Sequence, residues 1–235
     1  MKIILLGLLA VFSCSLFAQD AVDNRRTERL LRQSIKFHDP TGSWSTFHDT
    51  LFIAEPRTEN PNRISTVIFN QGRDLFRLER MYGKDEIVFE LELDACHWYV
   101  NGRGDLGEDE LKKRRLNCSR NRNYANFYRF LYGMPMEIMD RGYKLIDGPV
   151  AVELKGQKLI KLELDIEGAP FANLWNVYFD PETGEVKAYE YFPEETDAQN
   201  NIMYLEGVVE KSGIKFPLER KWYEGQEYKG VDTVK

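Results

Sequence analysis

Histidine and cysteine are scarce in this chain of 235 residues, with three of each. A closed structural zinc site takes four nitrogen or sulfur ligands, and no third ligand stands at a convincing spacing from the histidines. No metal and no cofactor are therefore expected. No serine occupies a nucleophile-elbow context, and no glycine-rich phosphate loop is present. Concentrated positive charge is missing too. The formal net charge is -6 and the pI about 5.3, which argues against nucleic acid, since that partner needs a basic footprint. The basic run Lys112-Lys113-Arg114-Arg115 follows Glu108, Asp109 and Glu110, so it reads as a self-neutralised, solvated helix face. The apolar run at the N-terminus is too short to span a bilayer, and no later segment is apolar enough to do so.

What the N-terminus does hold is a leader. Lys2 gives the positive start, Ile3 to Phe12 the apolar run, and Ala18 a small residue at the cut. Residues 1–18 are read as a signal peptide and 19–235 as one exported domain, periplasmic or extracellular. Cys14 raises a lipidated alternative, which Val11-Phe12-Ser13 fits poorly. Cys96 and Cys118 then remain. An isolated pair in an oxidising compartment is more often a bridge than two thiols, and the two are expected to be joined.

Asp23 to His38 carries Leu30, Leu31, Ser34, Ile35 and Phe37 at helical spacing and is closed by Pro40 and Gly42. Strand patterns follow at Ser45–Ile53, Arg63–Phe69, Asp74–Tyr82, Glu86–Asp94 and Cys96–Val100. In the fourth, Ile87, Phe89, Leu91 and Leu93 alternate with Val88, Glu90, Glu92 and Asp94, one buried row against one wet row. Further strands are expected at Gly148–Leu154, Lys158–Ile166, Trp175–Phe179, Val186–Phe192, Ile202–Glu210 and Ile214–Glu224. Asp180-Pro181-Glu182-Thr183-Gly184 marks a hairpin turn by its proline and glycine. With no crossover helices between successive strands, the sheet is expected to be antiparallel. The class is α+β, mainly β: about eleven strands in a curved sheet or unclosed barrel.

Asn117–Asp140 stands apart as a helix. Tyr124, Phe127, Tyr128 and Leu131 share one face, Gly133 is a candidate C-cap, and Pro135 stands where a helix stops. Such an aromatic face needs an apolar surface to lie on, and the concave side of the sheet is the expected one. The order of elements resembles the lipoprotein-carrier superfamily typified by LolA and LolB, which implies an N-terminal helix, an unclosed barrel and helices in its mouth. The segments FHDPTGSW (Phe37–Trp44), WYVNG (Trp98–Gly102), LNCSR (Leu116–Arg120), YRFLYGMPMEI (Tyr128–Ile138), YFDPETG (Tyr178–Gly184) and RKWY (Arg220–Tyr223) resemble an uncharacterised family of exported bacterial proteins. That resemblance implies a family and a compartment without an activity.

Two function classes stay open. In the first, a half-barrel holds an apolar small molecule or lipid, with Tyr124, Phe127, Tyr128, Leu131, Tyr132 and Trp175 lining its site. The bland alternative is that these rings fill the core of a structural or partner-binding protein. In the second, a hydrolase uses His38 and His48, each followed by an aspartate. The ordinary reading of His38 is a residue at a helix C-terminus, where a cation is favoured, and no catalytic residue is assigned. Neighbouring Cys96 and His97 would point to opposite faces of a strand, and Glu90 and Glu92 read as a solvated face.

Overall fold

A computed structural model describes residues 22–57, 61–193 and 199–235. The signal peptide expected at residues 1–18, Cys14 included, lies outside the described residues. Helix α1 spans residues 22–38. Strands β1 (His48–Ala54), β2 (Ile64–Asn70), β3 (Leu75–Tyr82), β4 (Asp85–Glu92) and β5 (Ala95–Val100) then form a meander. Helices α2 (Glu108–Arg114), α3 (Cys118–Gly133) and α4 (Met136–Arg141) interrupt it. A second meander follows: β6 (Lys144–Leu154), β7 (Gln157–Asp165), β8 (Leu174–Phe179), β9 (Val186–Tyr191), β10 (Asn201–Lys211), β11 (Ile214–Glu224) and β12 (Glu227–Val234).

All twelve strands belong to one antiparallel sheet in the order β5-β4-β3-β2-β1-β12-β11-β10-β9-β8-β7-β6. The two meanders are sewn together where β12 returns to β1, at Ile53↔Val234 and Ala54↔Thr233. Strands β5 and β6 are the free edges, so the barrel is unclosed, as the sequence leads one to expect. One strand was missing from that expectation. β12 opens with exposed Glu227, Tyr228 and Lys229 and contains Gly230, so its short inward row of Asp232 and Val234 gives little alternation to detect.

Side-chain parity explains the core. Phe76 and Leu78 of β3, Val67 and Phe69 of β2, and Leu51 and Ile53 of β1 all point inward and are buried. In β4 Ile87, Phe89 and Leu91 are buried as expected, but Val88 of the expected wet row is buried too, and Leu93 is 67% exposed. It sits in the β4–β5 turn at positive φ, outside the strand. In β7 the buried row is Leu162 and Leu164, continued by Ile166, whereas Ile160 is only half-buried.

The Asn117–Asp140 expectation needs two corrections. The helix stops at Gly133, and α4 begins after Pro135. Gly133 is no left-handed cap, for it is the last helical residue. It is glycine because the chains approach closely there: a Cβ would lie 2.3 Å from Trp44 Cζ2. The buried stripe of α3 is also rotated from the all-aromatic one. Asn121, Ala125, Tyr128, Leu131 and Tyr132 are buried, while Tyr124 and Phe127 are half-buried. Asn121 takes its place by bonding the sheet: its Nδ2 donates to Glu90 O at 2.8 Å, and its Oδ1 accepts from Trp98 Nε1 at 2.6 Å. The interior position of α3 is visible in its contacts with both meanders. Tyr128 stacks on Phe76 at 5.9 Å, and Phe130 packs on Trp175 at 5.0 Å.

Candidate functional site: a cleft between an aromatic helix and a row of arginines

The inward rows of β1, β2 and β3 change character toward one end of the sheet. Past Leu51 and Ile53 the β1 row reaches Glu55 and Arg57. The β2 row runs back from Phe69 and Val67 to Ser65 and Arg63, and the β3 row runs from Phe76 and Leu78 to Arg80 and Tyr82. Antiparallel pairing puts these polar ends side by side, with Ser65 opposite Arg80 and Glu55 N donating to Arg63 O at 2.8 Å.

Glu55 is the hub. Its Oε2 pairs with Arg80 at 2.8 Å and Arg63 at 2.9 Å, and its Oε1 accepts from the Tyr128 hydroxyl at 2.5 Å. Arg80 is further held by Ser65 Oγ at 2.8 Å, by Tyr82 OH at 3.3 Å and by the Tyr128 hydroxyl. A buried cation of this kind persists only when paired and hydrogen-bonded. Burial pulls the Arg80 pKa down, but Tyr128 and Glu55 outweigh it and hold the group charged. Burial pushes the Tyr128 phenol well up, and the Glu55 charge pushes it further. Tyr128 is therefore a neutral donor that ties α3 to the sheet.

Beside this hub lies a cleft of about 340 Å³. Tyr124, Phe127, Tyr128 and Phe171 form its aromatic wall, and Glu55, Arg57, Arg63 and Arg80 the opposite one. Phe171, from the β7–β8 loop, is 51% exposed and has φ of +71°. A bulky residue at positive φ is backbone strain of the kind found at binding sites. Its ring meets Phe127 at 5.4 Å and Tyr191 at 4.9 Å.

The sequence-derived set divides. Tyr124, Phe127 and Tyr128 line the cleft. Leu131, Tyr132 and Trp175 lie in the packed interior, where Tyr132 sits under the Arg220 guanidinium at 3.8 Å and Trp175 Nε1 donates to Ala172 O at 2.7 Å. Tyr124 and Tyr82 share a hydroxyl bond of 3.1 Å, to which Arg120 adds a donor at 3.0 Å from Tyr124. Sequence reasoning missed Phe171 and the arginines. Arg57 and Arg63 flank Pro56 and Pro61, where charge reads as turn surface. The available signal was parity: charged residues continuing an inward apolar row.

The histidines go elsewhere. His38 is buried, with Nδ1 2.8 Å from Lys215 O and Nε2 accepting from Val186 N at 3.1 Å. A carbonyl on one side and an N–H on the other fix the neutral Nδ1–H tautomer. Burial drives its pKa from 6.5 to about 4, with Arg220, Lys215 and Lys187 adding to the fall. His38 is thus no helix-end cation but a neutral clasp between α1, β9 and β11. The following Asp39 accepts from Ser43 N at 2.7 Å and Trp44 N at 2.9 Å. His48 is exposed at the start of β1. No cluster of three or more metal-ligating side chains occurs among the described residues.

Cys96 of β5 and Cys118 at the start of α3 form a disulfide with Cα atoms 5.5 Å apart. It pins the first turn of α3 to the sheet edge. Arg114 of α2 pairs with Glu110 at 3.2 Å and Asp85 at 2.8 Å, so its charge is neutralised locally. Glu90 is bound to Arg77 at 2.9 Å and Glu92 to Arg73. No described helix is long and apolar enough to cross a membrane.

Among solved structures the chain is similar to a LolA superfamily protein from Nitrosomonas europaea, at 10% identity and a TM-score of 0.46, covering 88% of this chain and 89% of that one. It is similar to a domain assigned to outer-membrane lipoprotein sorting from Vibrio parahaemolyticus, at 8% identity, a TM-score of 0.47 and 88% coverage of each chain. A DUF1329 family protein from Desulfovibrio piger gives 9% identity and a TM-score of 0.38, over 88% of this chain and 89% of that one. No curated protein matches the sequence significantly. Residues 5–222 match a family of unknown function, and the chain therefore belongs to that family, DUF6503.

Proposed function

We propose that this protein is exported and binds or carries an apolar ligand in the cleft between α3 and the inner face of the sheet. The observation that carries this reading is the aromatic wall. Phe171 is half exposed on a strained backbone, and Phe127 leans on it without being covered. Large rings left open in a concave site are the usual lining of a small-molecule pocket, and 340 Å³ is of the usual size. The leader-like sequence of residues 1–18 and the Cys96–Cys118 bridge support export to an oxidising compartment. Both ring nitrogens of His38 are engaged by backbone, which argues against His38 as the base of the hydrolase alternative.

The filled-barrel alternative draws on Leu131, Tyr132 and Trp175, which are buried in the interior. It separates from the carrier reading by titration with the neutral dye N-phenyl-1-naphthylamine. Saturable binding of one dye per chain, displaced by dodecanol, is expected. Folded protein that enhances no dye fluorescence would leave the rings of the cleft as core.

A further inference from the structure

We propose that the ligand is an amphipathic anion, an apolar chain ending in a carboxylate or phosphate, and that Arg57 and Arg63 grip its head. This deepens the reading above and rests on it. The two arginines stand where two hollows meet. On one side is the aromatic cleft. On the other is a depression of about 740 Å³ lined by Ile64, Met81 and Tyr82, which shares Arg57 and Arg63 with the cleft. Ile64 is 48% exposed and Met81 47%. Positive charge is thus flanked by apolar surface on both sides, the arrangement an amphiphile matches.

The charge is only partly cancelled: Arg57, Arg63 and Arg80 stand against Glu55 and, behind Arg57, Asp232, which leaves one positive charge over. Arg80 is fully engaged, each nitrogen having its partner. Arg63 is different. One of its terminal nitrogens meets Glu55, while its buried Nε has no hydrogen-bond partner. Leaving a buried donor unpaired is unfavourable, so Arg63 keeps hydrogen-bonding capacity that Glu55 does not use. Arg57 is oriented by one nitrogen, Nη1, which pairs with Asp232 at 2.9 Å and bonds Pro56 O at 2.9 Å. Asp232 is itself buried and accepts from Trp222 Nε1 at 2.7 Å, so it is a fixed support. The guanidinium fork suits two oxygens of a carboxylate or phosphate. The tyrosine hydroxyls nearest the rim are committed to one another and to Arg120, which leaves the head group to the arginines.

The test displaces N-phenyl-1-naphthylamine with four ligands of equal chain length, each below its micellar concentration: dodecanoate, dodecyl phosphate, dodecanol and dodecyltrimethylammonium. Wild-type protein is expected to bind one or both anions at least about tenfold more tightly than the alcohol, as charge-assisted bonds dictate, and the cation most weakly. The tighter anion identifies the head. Arg57→Gln and Arg63→Gln should each shrink the ratio of anion affinity to dodecanol affinity. Equal binding of alcohol and anions by the wild type overturns the head-group assignment and leaves the apolar cleft standing. Failure of all four ligands and the dye to bind folded protein overturns the cleft as well. The wild-type series decides the chemistry of the head group, and an anion preference that survives unchanged in both folded variants overturns its assignment to Arg57 and Arg63.

Discussion

His38 and Glu55 show how single polar side chains act once the fold has enclosed them. His38 is neutral in the folded chain and titrates near 6.5 when unfolded. A depressed histidine pKa means that the unfolded chain binds the extra proton between those values. Stability from His38 is thus complete above about pH 6.5 and falls as pH drops toward 4, by on the order of 3 kcal/mol. Urea denaturation of wild type and His38→Ala at pH 7 and pH 4 should show their stability gap narrowing by about that amount. A gap that stays constant with pH would contradict a buried neutral clasp. Glu55 carries the opposite burden, since it compensates Arg63 and Arg80 together. Glu55→Gln leaves two cations without a counter-charge and is expected to cost about 3–5 kcal/mol, read as a lower denaturation midpoint. Neither role was legible from local sequence: His38 looks like a helix-end cation, and Glu55 sits before a proline like any turn residue.

At the scale of elements, α3 is fastened at its start by the disulfide, in its middle by Tyr128 and at its end by the tight approach of Gly133 to Trp44. Replacing both Cys96 and Cys118 by serine should lower stability by on the order of 3 kcal/mol, given the 22-residue separation. It should also speed amide exchange in the first turn of α3. Mass spectrometry of unreduced protein that finds two alkylatable thiols would sink that account. Gly133→Ala forces a Cβ against the Trp44 ring and should cost about 1–3 kcal/mol or more. The helix itself was readable because Tyr124, Phe127, Tyr128 and Leu131 recur at its period. Its buried face was not, because Asn121 and Ala125 carry the contact with the sheet and neither is apolar enough to stand out. The hairpins were readable from Asp180-Pro181 and Gly184, where φ is +79° and a Cβ would lie 2.9 Å from Ser34 N of α1. The same turn thus serves the β8–β9 connection and the seat of α1.

Seen whole, the molecule is an open sheet with a helix laid through its interior and a cluster of Glu55, Arg63 and Arg80 at one end. Strand alternation made the open antiparallel sheet legible, but the seam between β1 and β12 was hidden because β12 is polar and short. The polarity of the interior was hidden too, since Glu55, Arg63 and Arg80 come together only when three strands are aligned. A ligand-binding reading requires that the charged, aromatic end be open while the centre is filled. Chemical-shift mapping during titration with dodecanoate tests this directly. The expected result is saturable shifts at Tyr124, Phe127 and Phe171 and at the Arg57 and Arg63 side chains, with Phe130 and Trp175 unmoved. Saturable shifts confined to the outer surface around Val208 and Leu218, or no saturable shifts at all, would contradict it.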